Sequence, residues 1–230
     1  MKRSRRYLDN LSKCDLEKNY SIEEALDLLS NSTNTKFDQT VDLSINLGVD
    51  PRHADQVIRG TVSLPHGTGK NVKVLVIAKG DKADEALSAG ADYAGDKEYL
   101  DKIKGGWTDV DIIISTPDMM AEVGKLGRIL GPKKLMPNPK SGTVTPDVKN
   151  AVTEVKKGKI EYRVDKTGIV HTIIGKSSFD KSKLLDNCNA IMSSIIKAKP
   201  NSLKGVYLKK VTLSSTMGPG IRLDKNSFTN

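Results

Sequence analysis

The sequence predicts a protein of mixed class, α/β and α+β, in two domains. One is a discontinuous α+β domain with an antiparallel sheet; the other is an α/β domain inserted into it. Three observations carry this. "TVDLSINLGV" alternates strictly, with Val41, Leu43, Ile45 and Leu47 on one side and Asp42, Ser44 and Asn46 on the other, the period of a strand with one buried and one wet face. "VKVLVIAKG" and "DVDIIISTPD" are short unbroken apolar runs, as expected of strands covered on both faces. After Lys159 the alternating kind returns. The first segment, with one helix and about two strands, holds too little core to stand alone. The chain ends, 1–67 and 160–230, are therefore expected to fold together around an insertion at 68–159.

Taken in order, "SIEEALDLLS" signals a helix. Ser21 and Glu24 form a candidate capping box, and Ile22, Ala25, Leu26 and Leu29 share one face. The alternating strand follows, and a short strand around "GTVSL" is expected to pair with it. In the insertion, helical stretches from Asp81 to Ala89 and from Glu98 to Lys104 lie between the apolar strands, and Pro117 suits the start of a helix in "PDMMAEVGKLGRIL". Beyond it, "KIEYRV" and "GIVHTII" flank "DKTG", an expected hairpin whose Gly168 can take a positive φ. A helix from Lys181 to Lys197 places Leu184, Leu185, Cys188, Ile191, Met192 and Ile195 on its apolar side; "GVYLKKVTLSS" and "GIRLD" are the last strands. The two crossings between domains, near Gly67 to Lys70 and at Gly158, make Gly67, Gly69 and Gly158 candidate hinge residues.

Charge narrows the function. The formal net charge of +9 over 230 residues points to a polyanionic partner. It is unevenly spread: 9 basic against 10 acidic residues up to Gly67, 16 against 13 from Thr68 to Lys159, and 12 against 5 from Ile160 onward. Cys14 and Cys188 are far apart and outside metal-ligand spacing, so free thiols in a reducing compartment are expected. The start "MKRSRRY" has the cations of a signal peptide without the hydrophobic stretch that should follow, and no apolar run is long enough for a membrane span. The cytoplasm is the expected location, with an organelle matrix as the alternative.

Among motifs, "HGTGKN" hints at a phosphate loop and fails. Gly69-Lys70 is followed by Asn71 and a strand, where that mechanism needs a hydroxyl residue and a helix. His53, His66 and His171 are scattered; no catalytic residue, metal site or cofactor is expected. The stretch "KLGRILGPKKLMPNPKSGTV" is more telling. It carries Lys125, Arg128, Lys133, Lys134 and Lys140, no carboxylate, three prolines and three glycines. An ordered, extended loop presenting five cations to a phosphate backbone is expected, against the plainer reading of a solvated surface loop. A second constellation combines "TKFDQT" and "SSTMGPG", each at a strand end. Thr40, Ser215 and Thr216 offer hydroxyls, Gly218 permits close backbone approach, and Phe37 or Met217 can pack against a base or sugar, unless Phe37 is a core aromatic. With aromatics at 4%, a stacking platform is not expected.

Together, "KFDQTVDL", "DQVIRGTVSLPHGTGK", "ADYAG", "GRILGPKKLMPNPKSGTV", "DKTGIVH" and "TMGPG" resemble the bacterial members of the ribosomal L-one family in order and spacing, over nearly the whole chain. The resemblance implies that the inserted domain is Rossmann-like and that the protein is a monomer within the large ribosomal subunit, bound to the rRNA of the mobile stalk. That stalk moves as deacylated tRNA leaves the exit site. The resemblance also implies repression of the protein's own operon, through an mRNA leader that mimics the rRNA site. It places the main RNA surface on the first domain, at Lys36, Phe37, Thr40, Thr216, Met217 and Gly218, with Lys166 and His171 from the "DKTG" region. The cationic loop becomes a secondary RNA contact. Two departures stand out. Gln39 replaces a common glutamate, with little effect if it points to water, and Lys133-Lys134 replaces a basic-glycine pair, which removes backbone freedom.

Overall fold

A computed structural model describes residues 3–32 and 35–228; the first two residues of "MKRSRRY" lie outside them. The chain forms two compact units, residues 1–69 with 160–230 and residues 70–159.

The first half of the first unit begins with α1 (Arg5–Ser12) and α2 (Ile22–Ser30). The Ser21 hydroxyl accepts from the Glu24 amide, and the Glu24 carboxylate accepts from the Ser21 amide, so the capping box is complete. Two strands follow, β1 (Thr40–Leu47) and β2 (Arg59–Ser63). The second unit contributes β3 (Val74–Ile77), α3 (Asp81–Ser88), β4 (Tyr93–Gly95), α4 (Lys97–Lys104), β5 (Ile112–Ser115), α5 (Met120–Gly124), α6 (Gly127–Leu130) and α7 (Val148–Lys156). The chain then returns with β6 (Lys159–Arg163), β7 (Ile169–Lys176), α8 (Lys181–Lys197), β8 (Leu208–Ser215) and β9 (Gly220–Leu223).

The main sheet has the order β7-β1-β8-β9, antiparallel throughout. β1, from the N-terminal half, lies between two strands of the C-terminal half. Both its ladders therefore require the chain to return. Its Val41, Leu43, Ile45 and Leu47 are buried with Leu184, Cys188, Ile191, Met192 and Ile195 of α8 and Ala25 and Leu26 of α2. Each large apolar side chain among them contributes roughly 1.5–3 kcal/mol on burial. The alternate residues form an uncovered polar face.

Two pairings differ from the sequence expectation. β2 pairs with β6, not with β1, because both edges of β1 are already taken by β7 and β8. An ion pair between Arg59 and Glu161 (2.5 Å) joins the two strands. The "DKTG" segment is a tight turn, with Gly168 at φ 82° and the Asp165 amide donating to the Ile169 carbonyl (2.8 Å). Its flanking strands meet only at the Val164–Val170 bridge and then part, β6 to β2 and β7 to β1.

In the second unit the sheet is parallel, in the order β4-β3-β5. All four residues of β3 are buried. Leu75 and Ile77 meet Leu100, Ile103, Val123 and Leu130 on one face, while Val74 and Val76 meet Ala86, Val148 and Val152 on the other. This is the doubly covered arrangement expected of unbroken apolar strands. Pro117 opens a single 3-10 turn, and the helical stretch after it is split into α5 and α6. α7 was not anticipated, although Asp147 caps it and Val148, Ala151, Val152 and Val155 have helical spacing on its buried side.

Candidate nucleic-acid interface

Two surfaces carry the residues singled out by sequence, and they are built differently. The first is the end of the main sheet where β1 begins and β8 ends. There the Thr216 amide donates to the Thr40 carbonyl (3.0 Å), and the Thr40 amide donates to the Thr216 hydroxyl (3.0 Å). That hydroxyl also donates to the Thr40 carbonyl at 3.2 Å. The Thr40 hydroxyl accepts from Lys176 Nζ (3.0 Å). These hydroxyls, expected to be free for a ligand, are thus partly spent in fixing the two segments to one another. Phe37 and Met217 stand out from this frame, 53% and 46% exposed. Phe37 is not a core aromatic.

Ser215 is turned inward. Its hydroxyl is buried and has no hydrogen-bond partner among the described residues, so it offers nothing to a ligand in this conformation. Gly218 lies directly over it: a Cβ on Gly218 would come within 2.3 Å of Ser215 Oγ. The glycine is required first for packing within the turn, which the Gly218 amide closes on the Ser215 carbonyl (3.0 Å). Gln39 does not point to water either. It is buried, and its side-chain oxygen accepts from the Met217 amide (3.1 Å).

Lys36 is exposed beside Phe37. The loop they share is held by Asp38, whose carboxylate accepts from the Ser177 hydroxyl and from the hydroxyl and amide of Ser178 (2.8–3.1 Å). Those bonds, led by the Ser178 hydroxyl, hold the Asp38 carboxyl below its ordinary range.

From this end the polar face continues along the sheet, with residues that the motifs did not assign to the site. His171, Ser44, Thr212 and Arg222 lie opposite one another across the four strands, as do Ile173, Asp42, Ser214 and Gly220. His171 Nδ1 is 3.0 Å from the Ser44 hydroxyl. Burial raises the Asp42 carboxyl above its usual range, opposed by the charges of His171 and Lys176. Lys166 is exposed in the turn before β7, beyond the Asn46 end of β1. At about 3.4 Å per residue, Thr40 and Asn46 are roughly 20 Å apart. The structure therefore gathers Lys36, Phe37, Thr40, Thr216, Met217 and Gly218 at one end. His171 falls midway, and Lys166 lies at the far end. The alternation of β1 was the available signal for the strip between them.

The second surface is the cationic loop. It is not extended: α6, a turn and a 3-10 turn at Pro139–Ser141 fold it onto the unit, anchored by buried Leu126, Leu130 and Leu135. Lys125, Arg128, Lys133, Lys134 and Lys140 all lie on its surface, and all five are exposed. Among the described residues none of the five is in an ion pair; Lys133 Nζ donates to the Thr108 hydroxyl. On the body of the same unit, Lys70, Lys73, Lys102, Lys104, Lys156 and Lys159 each have a carboxylate partner. Lys134 stands at φ 59°, in the left-handed region, at the position where the resemblance gives glycine.

These features, a polar sheet face with a rigid turn and an unneutralised cationic loop, fit a partner with regular negative charge and hydrogen-bonding edges. The family model described as "Ribosomal protein L1p/L10e family" matches residues 28–219. The chain belongs to that family. It is therefore a structural, rRNA-binding protein of the large ribosomal subunit, from a family of ribosomal proteins and not of enzymes. The match spans both surfaces. Among the described residues no helix is long and apolar enough to cross a membrane, and no cluster of His, Cys, Asp or Glu is arranged to hold a metal. Cys188 is buried, which raises its thiol to about 12, far from a reactive thiolate.

The three hinge candidates all have positive φ: 65° at Gly67, 71° at Gly69 and 99° at Gly158. Gly67 is also tied into its own unit. The Asn187 side chain is fully buried; its nitrogen donates to the Gly67 carbonyl (3.0 Å) and its oxygen accepts from the His66 amide (3.1 Å).

Proposed function

We propose that the polar sheet face, with the turn at Thr216–Gly218, is the principal rRNA site, and that the cationic loop is a secondary contact. In this reading Phe37 and Met217 pack against a sugar or base, and the backbone of Thr216 to Gly218 approaches the RNA closely. Thr40 and Ser215 hold the frame from within. Lys36, Lys166 and His171 meet phosphates or bases along the sheet. Lys125, Arg128, Lys133, Lys134 and Lys140 lend charge from the other domain, through a hinge at Gly67, Gly69 and Gly158. The observation that carries this is the exposure of Phe37 and Met217 beside a turn whose backbone is pinned across two segments. A rigid, mostly neutral surface reads RNA shape, whereas flexible lysines read charge.

On the same reading the partner is the stalk rRNA, within which the protein acts as a monomer. The two-domain body assists release of deacylated tRNA from the exit site, and the sheet face also binds a stalk-like leader in the protein's own mRNA, repressing translation. The bacterial affiliation and cytoplasmic location belong to this reading. No cofactor takes part. The test is binding to a stalk rRNA fragment in competition with an unrelated RNA of equal length. Binding that resists the competitor in the wild type and fails to do so in Met217→Glu supports the proposal. Equal resistance in both overturns the site. A leader fragment of the operon, tested in the same assay, decides the repressor role.

A further inference from the structure

Gln39 occupies a junction of three chain segments. β1 begins at Thr40, so its last backbone rung with β8 is the bond from Thr216 N–H to Thr40 C=O. The next donor along, the Met217 amide, has no strand opposite it. Gln39 cannot offer its backbone, which is already bonded on the other flank: its carbonyl accepts from the Ser177 amide (2.8 Å), and its amide donates to the Ser177 hydroxyl (3.1 Å). Its side chain crosses to the Met217 side and accepts there at 3.1 Å. One residue thus links the 176–178 turn to the 216–218 turn, backbone to one side and side chain to the other. It is 7% exposed, so it presents little surface of its own.

We infer that Gln39 is a positioning residue for RNA recognition: its side-chain oxygen acts as a missing rung of the sheet and fixes the Met217 turn against β1. This rests on the turn being an RNA contact, as in the proposed function. The chemistry required is an acceptor of this length. A glutamate carboxylate meets that requirement as well as an amide. A side chain of similar volume without an oxygen leaves the Met217 amide unpaired, and the turn gains freedom that RNA binding must then remove.

The test uses the full chain and two readouts. Amide hydrogen exchange of free Gln39→Leu should show Met217 N–H exchanging about tenfold faster, with amides within β8 such as Leu213 unchanged. Affinity for the stalk rRNA fragment should fall by about tenfold with an unaltered salt slope, since no charge is removed. Gln39→Met, which also lacks the acceptor, should behave alike, and Gln39→Glu should restore both readouts. Wild-type affinity in Gln39→Leu overturns the inference. So does weakened affinity with Met217 still protected, which would mean that Gln39 acts by another route. Loss of the fold in both the Leu and Met variants also overturns it, because the residue would then be structural throughout. A wild type that does not bind the fragment defeats the proposed site, while the exchange result still decides whether Gln39 holds the turn.

Discussion

The cationic loop and the Thr216 turn are opposites in how they are made ready. The loop is held by apolar anchors beneath it, Leu126, Leu130 and Leu135, and leaves five cations at the surface without carboxylate partners among the described residues. The turn has no cation of its own and is held by polar bonds: Thr40 to Thr216, Gln39 to Met217 and Gly218 to Ser215. The first arrangement fixes where charge sits but leaves long side chains free. The second fixes backbone to within a hydrogen-bond length. Long-range attraction suits the former and discrimination among RNA shapes the latter.

The comparison can be broken most forcefully at the core. Ile45→Ala removes a fully buried side chain from the strand that joins the two halves of the first unit. It should cost about 2–5 kcal/mol in denaturant unfolding, and specific RNA binding should be lost at a lower denaturant concentration than in the wild type, together with the fold of the first unit. A residual salt-sensitive binding is expected to remain through the second unit. If specificity survives at a denaturant concentration that unfolds the first unit, the sheet face is not the recognition surface.

A subtler break lies within the turn. Gly218→Ala should be poorly tolerated because its Cβ would strike Ser215 Oγ. Made in a Ser215→Ala background, the same change should cost less, by about 1 kcal/mol in a double-mutant cycle of stability. Simple additivity would show that the close approach is relieved elsewhere. Ser215→Ala alone removes a buried hydroxyl without a partner, and should leave stability unchanged or raise it by up to about 1 kcal/mol.

The smallest expected effect sharpens the loop. Lys134→Gly relieves a left-handed backbone and should stabilise the second unit by about 0.5–1 kcal/mol, read by thermal unfolding. It also removes one cation. A destabilised variant would show that the Lys134 side chain contributes packing that outweighs its backbone strain.

These regions also differ in how legible they were. Much of the fold lay in plain view: the alternation of β1 marked a one-sided strand, and the apolar runs of β3 and β5 marked a doubly covered sheet. The partner of β2 did not, because pairing depends on which strand edges remain open, and β7 and β8 close those of β1 from more than 100 residues away in sequence. α7 was visible in its spacing, but it is short and follows directly on the proline-glycine stretch, whose composition signals loop. In the site, the loop's charges could be counted directly. The turn's proposed role came from resemblance to a family, and nothing in "SSTMGPG" alone says that its hydroxyls are spent on Thr40 or that Ser215 is buried. Gln39 was given little weight on the condition that it faced water, and that condition fails; strand position alone does not reveal that its backbone is engaged on one side and its side chain needed on the other.

The division of labour between turn and loop is tested most directly by a salt titration of stalk-fragment binding for two variants beside the wild type. Thr216→Val should lower affinity by about tenfold with the salt slope unchanged. Lys133→Ala with Lys134→Ala should flatten the slope by about one unit for each phosphate no longer neutralised and leave the preference over unrelated RNA intact. If the lysine variant instead abolished the preference, and Thr216→Val changed nothing, the recognition surface would be the loop and not the sheet face.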